Sequence, residues 1–378
     1  MNNSFKAQNQ RELSIDEHTV RRDSSPGPRR RSVFFTKLLN WEFWPVYLTN
    51  VPVILIWLWF ALRAKRLFFF SAVNPVIETG GVLGESKIGI LRRIPAAFVP
   101  ITVFVKQGTP FPEILCSVKE AGLDFPVIAK PDIGERGFLV SKIKNEDGLR
   151  RYAAANPPDF LIQKFIGLPV ELAVMHHRFP GEKGGRVTSI CIKDTLKVTG
   201  DGRSTVRQLM AAYPRAQMQL ARFEAGFSTL LDAVPGNGET VELEPIGNHC
   251  RGTQFLNGNE HIDEALTEVF NEVVAQMDGI HYGRFDLKCN SIEDIRRGRE
   301  FMVMEYNGIA AEPAHIYDPS IPVLKKYQDI YRHWEIIYKI YRVQASRGVR
   351  CMNFGEAWQS LKKYRAYMKA QGREVKKV

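Results

Sequence analysis

The sequence predicts a mixed α/β protein with a hydrophobic helical segment ahead of it, and three observations carry that prediction. From residue 76 onward, short apolar runs end in Gly, Pro or Asp and alternate with charged amphipathic stretches. Before that point, residues 33–75 hold four of the six tryptophans and a charge-free apolar run from Val46 to Leu62. The chain has 378 residues, 44% of them hydrophobic, enough to bury one large core or two or three lobes.

In chain order, residues 1–32 are polar and basic, with "RRDSSPGPRRR" near their end, and lack a periodic apolar face, so they read as a disordered basic arm. The run Val46 to Leu62 is interrupted only by Thr49, Asn50 and Pro52. As a helix it would span roughly 26 Å at 1.5 Å per residue, just short of a hydrocarbon core. Trp41, Trp44, Trp57 and Trp59, followed by Arg63, Lys65 and Arg66, equally suit a helix lying among lipid headgroups. Packing on the globular body is the third placement. Basic residues flank both ends, so the positive-inside rule gives no orientation, and the run starts too late for a cleavable signal peptide. A membrane surface is therefore a candidate partner through residues 41–70.

The region 76–340 reads as the α/β domain. "FPVIAKP", "FLIQKF", "ELAVMHHR", "VTSICIKD", "YGRFDLKC" and "FMVMEYN" are its expected strands. "EHIDEALTEVFNEVVAQMDG" is an expected helix, with Ile262, Leu266, Val269, Phe270, Val273 and Met277 at helical spacing and Gly279 just past its end. Residues 341–378 are expected to form a basic amphipathic helix. No internal repeat is present. The five cysteines are scattered without a C-x-x-C pair, which reads as reduced thiols in a cytoplasmic compartment rather than a disulfide framework or zinc cluster.

Chemistry gathers where strands end in polar residues. In "FMVMEYN" a period of two points Glu305 and Asn307 the same way, and Asp286 interrupts the apolar run of "YGRFDLKC". An unbulged antiparallel pairing centred on the connection between these strands sets Asp286 opposite Glu305. Two opposed carboxylates need a proton or a cation between them, and with Asn307 three oxygen-bearing side chains converge, a donor set suited to Mg²⁺. Upstream, "FPVIAKPDIGERGFLV" places Lys130 at a strand end before a turn carrying Gly134 and Gly137, where backbone N–H groups and a point charge would meet a phosphate. The P-loop pattern is absent.

In order and spacing, "FPVIAKPDIGERG", "LIQKFIGLPVELAV", "GRFDLK" and "VMEYNG" resemble the ATP-grasp superfamily, in the lineage of D-alanine:D-alanine ligases and related carboxylate–amine ligases. The match runs from about Lys87 to Tyr331, and the order of the four blocks is more specific than any one of them. The resemblance implies two α/β subdomains gripping ATP, with Mg²⁺ or Mn²⁺ as cofactor. It implies that Lys87 and Lys130 bind phosphate and that the Gly134–Gly137 turn closes over the triphosphate. Gln163, Lys164, Phe165 and Ile166 would form the adenine-reading hinge, and Glu171 would take the ribose hydroxyls; Lys164 stands where the family often has a glutamate. Arg284 would stabilise an acyl phosphate, and Asp286, Glu305 and Asn307 fall on the metal ligands.

Substrate-facing candidates are His249 and Arg251 in "EPIGNHCRGTQF", and Glu312 and His315 in "GIAAEPAHIYDP"; each also reads as an ordinary core or turn residue. "TGDGRSTVRQLM" resembles a segment of cyanophycin-synthetase-like and glutathione-forming ligases, though Thr199, Asp201, Ser204 and Thr205 are equally turn and N-cap residues. The implied activity joins an unidentified carboxylate to an amine or similar nucleophile. An ATP-grasp kinase acting on a hydroxyl, and a nucleotide-binding protein without turnover, use the same residues. The net charge of +11 favours an anionic partner. Its dispersal, without a recognition motif, argues against nucleic acid. The short amino-terminal region departs from the family's nucleotide-fold-like first domain, so a peptidoglycan dipeptide product is not implied. The expected location is cytoplasmic, with the inner membrane face as a further expectation.

Overall fold

The structure, a computed structural model, describes residues 41, 44–134, 137–155, 157–226, 228–244, 247 and 251–371. The expected basic arm 1–32, and His249, lie outside the described residues.

Among the described residues two larger antiparallel sheets, of four and five strands, and a two-stranded pair combine with helices in the mixed α/β class that the sequence predicts. The first sheet contains β1 (Thr102–Val105), β2 (Val127–Pro131), β3 (Ser141–Ile143) and β4 (Phe160–Lys164) in the order β1-β4-β2-β3. Its apolar face packs on helices Phe111–Glu120 and Glu146–Ala154, with Ile114, Val118 and Leu149 in that core. The second sheet contains β5 (Val170–His177), β6 (Arg186–Asp194), β9 (Gln254–Asn257), β10 (Tyr282–Cys289) and β11 (Phe301–Asn307), in the order β11-β10-β5-β6-β9. Between β6 and β9 lies a small helical unit with its own core around Val206, Met210 and Phe223, closed by the pair β7 (Lys197–Thr199) and β8 (Thr240–Glu242). All six strands expected from the sequence form.

One face of the second sheet, with Leu172, Val174, Phe285 and Leu287, is buried under helix Glu264–Val274. That helix is shorter than its apolar spacing predicts. Asp263 caps it by accepting from the Leu266 N–H, and after Ala275 the chain turns, so Met277 is buried from the turn and Gly279, at φ +75°, sits in the loop rather than at a helix end. Apolar periodicity records which residues are buried, and a turn buries Met277 as well as a helix would.

The opposite face divides along its length. Its far end, with Met175 and Tyr282, is covered by Phe60, Phe69, Ile337 and Tyr338. These come from helix Val46–Ala64, the turn Phe69–Ala72 and helix Val323–Ser346, which runs through residue 340 without a break. Asn74 ties this layer to β10: its amide donates to the carbonyls of Gly80 and Tyr282 and accepts from the N–H groups of His281 and Tyr282. The near end of the face is polar and forms the candidate site.

Helix Val46–Ala64 is apolar all round, but only one side is covered. Among the described residues it alone is long and apolar enough to cross a membrane by length and composition. The four tryptophans expected together at a lipid surface are divided. Trp41 is buried against Tyr317 and Tyr327, its indole donating to the Tyr327 hydroxyl at 3.1 Å, and Trp57 is half-buried, whereas Trp44 and Trp59 are exposed. The last helix is Phe354–Ala370, started by a capping box in which Asn353 and Glu356 satisfy each other's backbone N–H groups.

Candidate active site

The site is assembled by three elements. β10 and β11 supply its floor. Asp286 pairs with Glu305 and Arg284 with Asn307, the register expected from the sequence, but the ladder is not unbulged. Beyond Asp286 the register shifts so that Leu287 faces Val303, which leaves Met304 without a partner. Because directly opposed residues share a face, this extra residue changes which way the strand points. Phe301 and Val303 lie with Leu287 in the core, while Glu305 and Asn307, of the same parity, lie with Asp286 toward the site. An unbulged strand would have pointed all four residues the same way.

The floor is dense with charge. Arg284 grips Asp286 through two parallel bonds, Nε to Oδ1 at 3.1 Å and Nη2 to Oδ2 at 3.2 Å, while its Nη1 donates to the Glu312 carbonyl at 3.2 Å. Asn307 donates to Asp286 Oδ2 at 3.0 Å. Lys193 from β6 lies 3.0 Å from Glu171 and 3.5 Å from Asp286. Burial works against the charges on Asp286 and Lys193, yet the partners prevail: Arg284 and Lys193 hold the Asp286 carboxyl below its ordinary range, and Asp286 and Glu171 hold the Lys193 ammonium above its own.

The first sheet supplies the roof. Lys130, at the end of β2, crosses to the second sheet: its Nζ donates to Gln163 Oε1 at 2.9 Å and to the carbonyl of the bulged Met304 at 3.0 Å. Both acceptors are neutral, and burial pushes this lysine down to about 8, with Glu305 opposing that shift and Lys87 adding to it. Lys87 opens the short helix Lys87–Leu91, which Asp132 holds by accepting from the N–H groups of Lys87 and Ile88. The Lys87 ammonium lies 3.3 Å from Glu305 and donates to the carbonyl of Gly134.

The third element is the link between sheets. After Gln163, whose amide also donates to Thr102, the chain runs through Lys164, Phe165 and Ile166 into β5. The Lys164 side chain points to solvent, its N–H donating to Ile101, and Phe165 carries Lys142 over its ring at 3.7 Å. Two outer contacts hold the glycine turn: Arg251 donates to the Gly137 carbonyl at 3.2 Å, and Tyr367 of the last helix donates to Ile133 at 3.0 Å.

The structure thus brings Lys87, Lys130, Gln163, Glu171, Arg284, Asp286, Glu305 and Asn307 together, with Arg251 and Gly137 at the rim. Glu312 touches the site through its backbone, while its carboxylate accepts from Tyr317. His315 is buried with both ring nitrogens engaged, Nδ1 with Ser189 at 2.7 Å and Nε2 with Asp329 at 3.3 Å, which joins β6 to helix Val323–Ser346. In the segment 199–205, Asp201 accepts from Arg203 and Ser204, and Thr205 caps helix Val206–Ala212, so these residues serve local structure. Lys193 and Asp132 were not picked out from the sequence. The signal for Lys193 was a lysine closing an apolar strand, the same as for Lys130, but its importance depends on β6 pairing with β5 opposite Glu171.

Among the described residues no group of three or more His, Cys, Asp or Glu forms a metal cluster. The donors here are two carboxylates and a carboxamide on one face, which fit a hard, oxygen-preferring divalent cation once Lys87 or Lys193 gives way.

No family model and no curated protein matches the chain in sequence. A bifunctional glutathione synthetase from Pasteurella multocida is similar at 15% identity and TM-score 0.37, over 65% of this chain and 34% of that one. The VanG D-Ala:D-Ser ligase from Enterococcus faecalis is similar at 13% and 0.38, over 68% and 63%. The D-alanine–D-alanine ligase from Bacillus anthracis is similar at 14% and 0.39, over 72% and 71%. The chain therefore spans about a third of the first protein and under two thirds of the second.

Proposed function

We propose that the protein is a Mg-ATP-dependent ligase that joins a carboxylate to an amine or similar nucleophile through an acyl phosphate. The observation that carries this reading is the convergence of Lys87, Lys130, Lys193 and Arg284 on the face bearing Asp286, Glu305 and Asn307, at the junction of two sheets. Four cations against Glu171, Asp286 and Glu305 leave the site with surplus positive charge, which suits a polyphosphate.

In this reading a substrate carboxylate oxygen attacks the γ-phosphorus of ATP, the bond to the β-phosphate oxygen breaks, and ADP leaves. The nucleophile then attacks the acyl carbon, losing its proton, and inorganic phosphate departs. Because phosphoryl transfer spreads charge over oxygens, positioning and neutralisation do the work. Lys87 and Lys130 take the phosphates, Arg284 faces the reacting carboxyl from a guanidinium already fixed by Asp286 and the Glu312 carbonyl, and the glycine turn excludes water. Asp286, Glu305 and Asn307 would hold Mg²⁺, which supplies further neutralisation of phosphate charge. Residues 163–166 would read adenine through the backbone, and Lys193 would keep Glu171 oriented toward a ribose.

The test is to incubate the full chain with Mg-ATP and pooled carboxylate and amine metabolites, measuring ADP and free phosphate separately. Equal, substrate-dependent release of both is expected, lowered by at least about a hundredfold in Glu305→Gln. ADP without matching free phosphate would replace the ligase with a kinase, and ATP binding without either product would leave a nucleotide-binding protein.

A further inference from the structure

Helix Val46–Ala64 turns one apolar side to the protein and another to the outside. Val53, Ile56, Trp57 and Phe60 pack on helix Val323–Ser346 and its surroundings, whereas Leu48, Val51, Leu55, Leu58, Trp59 and Leu62 are exposed. The exposed set recurs at intervals of three and four, a continuous stripe along the helix. Such a stripe is larger than scattered surface apolar residues account for.

Three features identify what covers it. From Trp44 to Ile77 the sequence contains no Asp or Glu, while Arg63, Lys65 and Arg66 close the stripe, so this segment carries cations and no acidic side chain of its own. Exposed Tyr47 borders it and Trp59 lies within it, ring types that favour a headgroup layer. The last helix adds a second surface of the same kind: Phe354 meets Phe68 at a ring distance of 6.3 Å, Trp358 is exposed one turn on, and Lys362 lies over its ring at 5.5 Å. Exposed Arg365 and Lys369 follow.

The covered side decides how the helix meets lipid. Its partner helix contains Asp329, ion-paired with Lys325 at 2.8 Å and Arg332 at 3.2 Å, together with buried Lys326 and His333. A transmembrane placement would carry these charges into hydrocarbon or strip the helix from its core. The Thr49 carbonyl is also tied inward, accepting from the Tyr327 hydroxyl.

We propose that helix Val46–Ala64 lies in the plane of an anionic membrane surface, its outer stripe in the headgroup and acyl boundary, with Phe354 and Trp358 as a second anchor. This stands independently of the ligase reading, because it uses none of the site residues.

The test is flotation of the full-length protein with vesicles of phosphatidylcholine alone and with added phosphatidylglycerol. Expected are binding to the anionic vesicles, release by alkaline carbonate, and weakening of at least about tenfold in Leu55→Glu with Leu58→Glu. Lys65→Glu with Arg66→Glu, which leaves the apolar stripe intact, should weaken binding and remove its salt dependence. Three results would overturn the proposal: no binding to either vesicle; retention after carbonate, which means a span; or a wild-type dimer that the double leucine variant dissociates, which means that a second copy covers the stripe. Binding that appears only when residues 1–40 are removed would also overturn it, since that segment would then be the cover.

Discussion

Two buried lysines of one site show how acceptor chemistry, not depth, sets a charge. Lys193 faces two carboxylates and is held charged, whereas Lys130 faces an amide oxygen and a carbonyl and falls to about 8. The consequences for Lys130 have opposite signs. Between about 8 and its ordinary 10.5 the unfolded chain binds the extra proton, so stability should rise with pH across that window. With Lys130 holding phosphate as proposed, nucleotide affinity should be flat below about pH 8 and fall above it by up to about tenfold per unit. Calorimetric titration with ATP across pH 6.5 to 10 measures this, and in Lys130→Met affinity should be low throughout, with that limb absent. Lys130 was legible because a lysine before a glycine turn has a local meaning. Lys193 was not, because its meaning comes from a neighbouring strand.

At the scale of the element, the bulge in β11 reconciles two demands on one strand. Phe301 and Val303 must enter the core and Glu305 and Asn307 must enter the site, yet all four share one parity. Deletion of Met304 would restore plain alternation and make those demands exclusive, so the variant should lose ATP binding or melt at a markedly lower temperature. Met304→Ala keeps the backbone and the carbonyl that Lys130 uses, and should retain affinity; thermal melts and ATP titration of both variants distinguish them. The pairing of Asp286 with Glu305 was readable from polar positions placed symmetrically about a connection. The bulge was not, since the strand has no glycine to mark it and only the ladder reveals the count. At the turn beyond, Gly308 passes Gly81 so closely that an added Cβ on Gly308 would come within 2.7 Å of the Gly81 Cα, a reason for glycine in "YNG" that the sequence alone did not supply.

At the scale of the whole molecule, the fold class followed from the alternation of strands and helices, and the burial of Trp41 did not, because aromatic clustering looks the same whether rings face lipid or protein. The helix Phe354–Ala370 read as basic and amphipathic, either solvated or a second membrane or partner contact, and the structure gives it contacts at both ends. Its first turn meets Phe68, and near its last turn Tyr367 holds the Ile133 carbonyl beside the glycine turn and Lys87. Tyr367→Phe removes one hydrogen bond worth about 1 kcal/mol, and apparent ATP affinity should drop roughly fivefold with the melting temperature little changed, as measured by nucleotide titration and thermal scan. The helix is in effect a strut about 25 Å long at 1.5 Å per residue, braced at one end on the aromatic amino-terminal layer and at the other on the roof of the site. A load applied where Phe354 and Trp358 sit would be felt at the glycine turn, so the outer surface and the candidate site share one mechanical member.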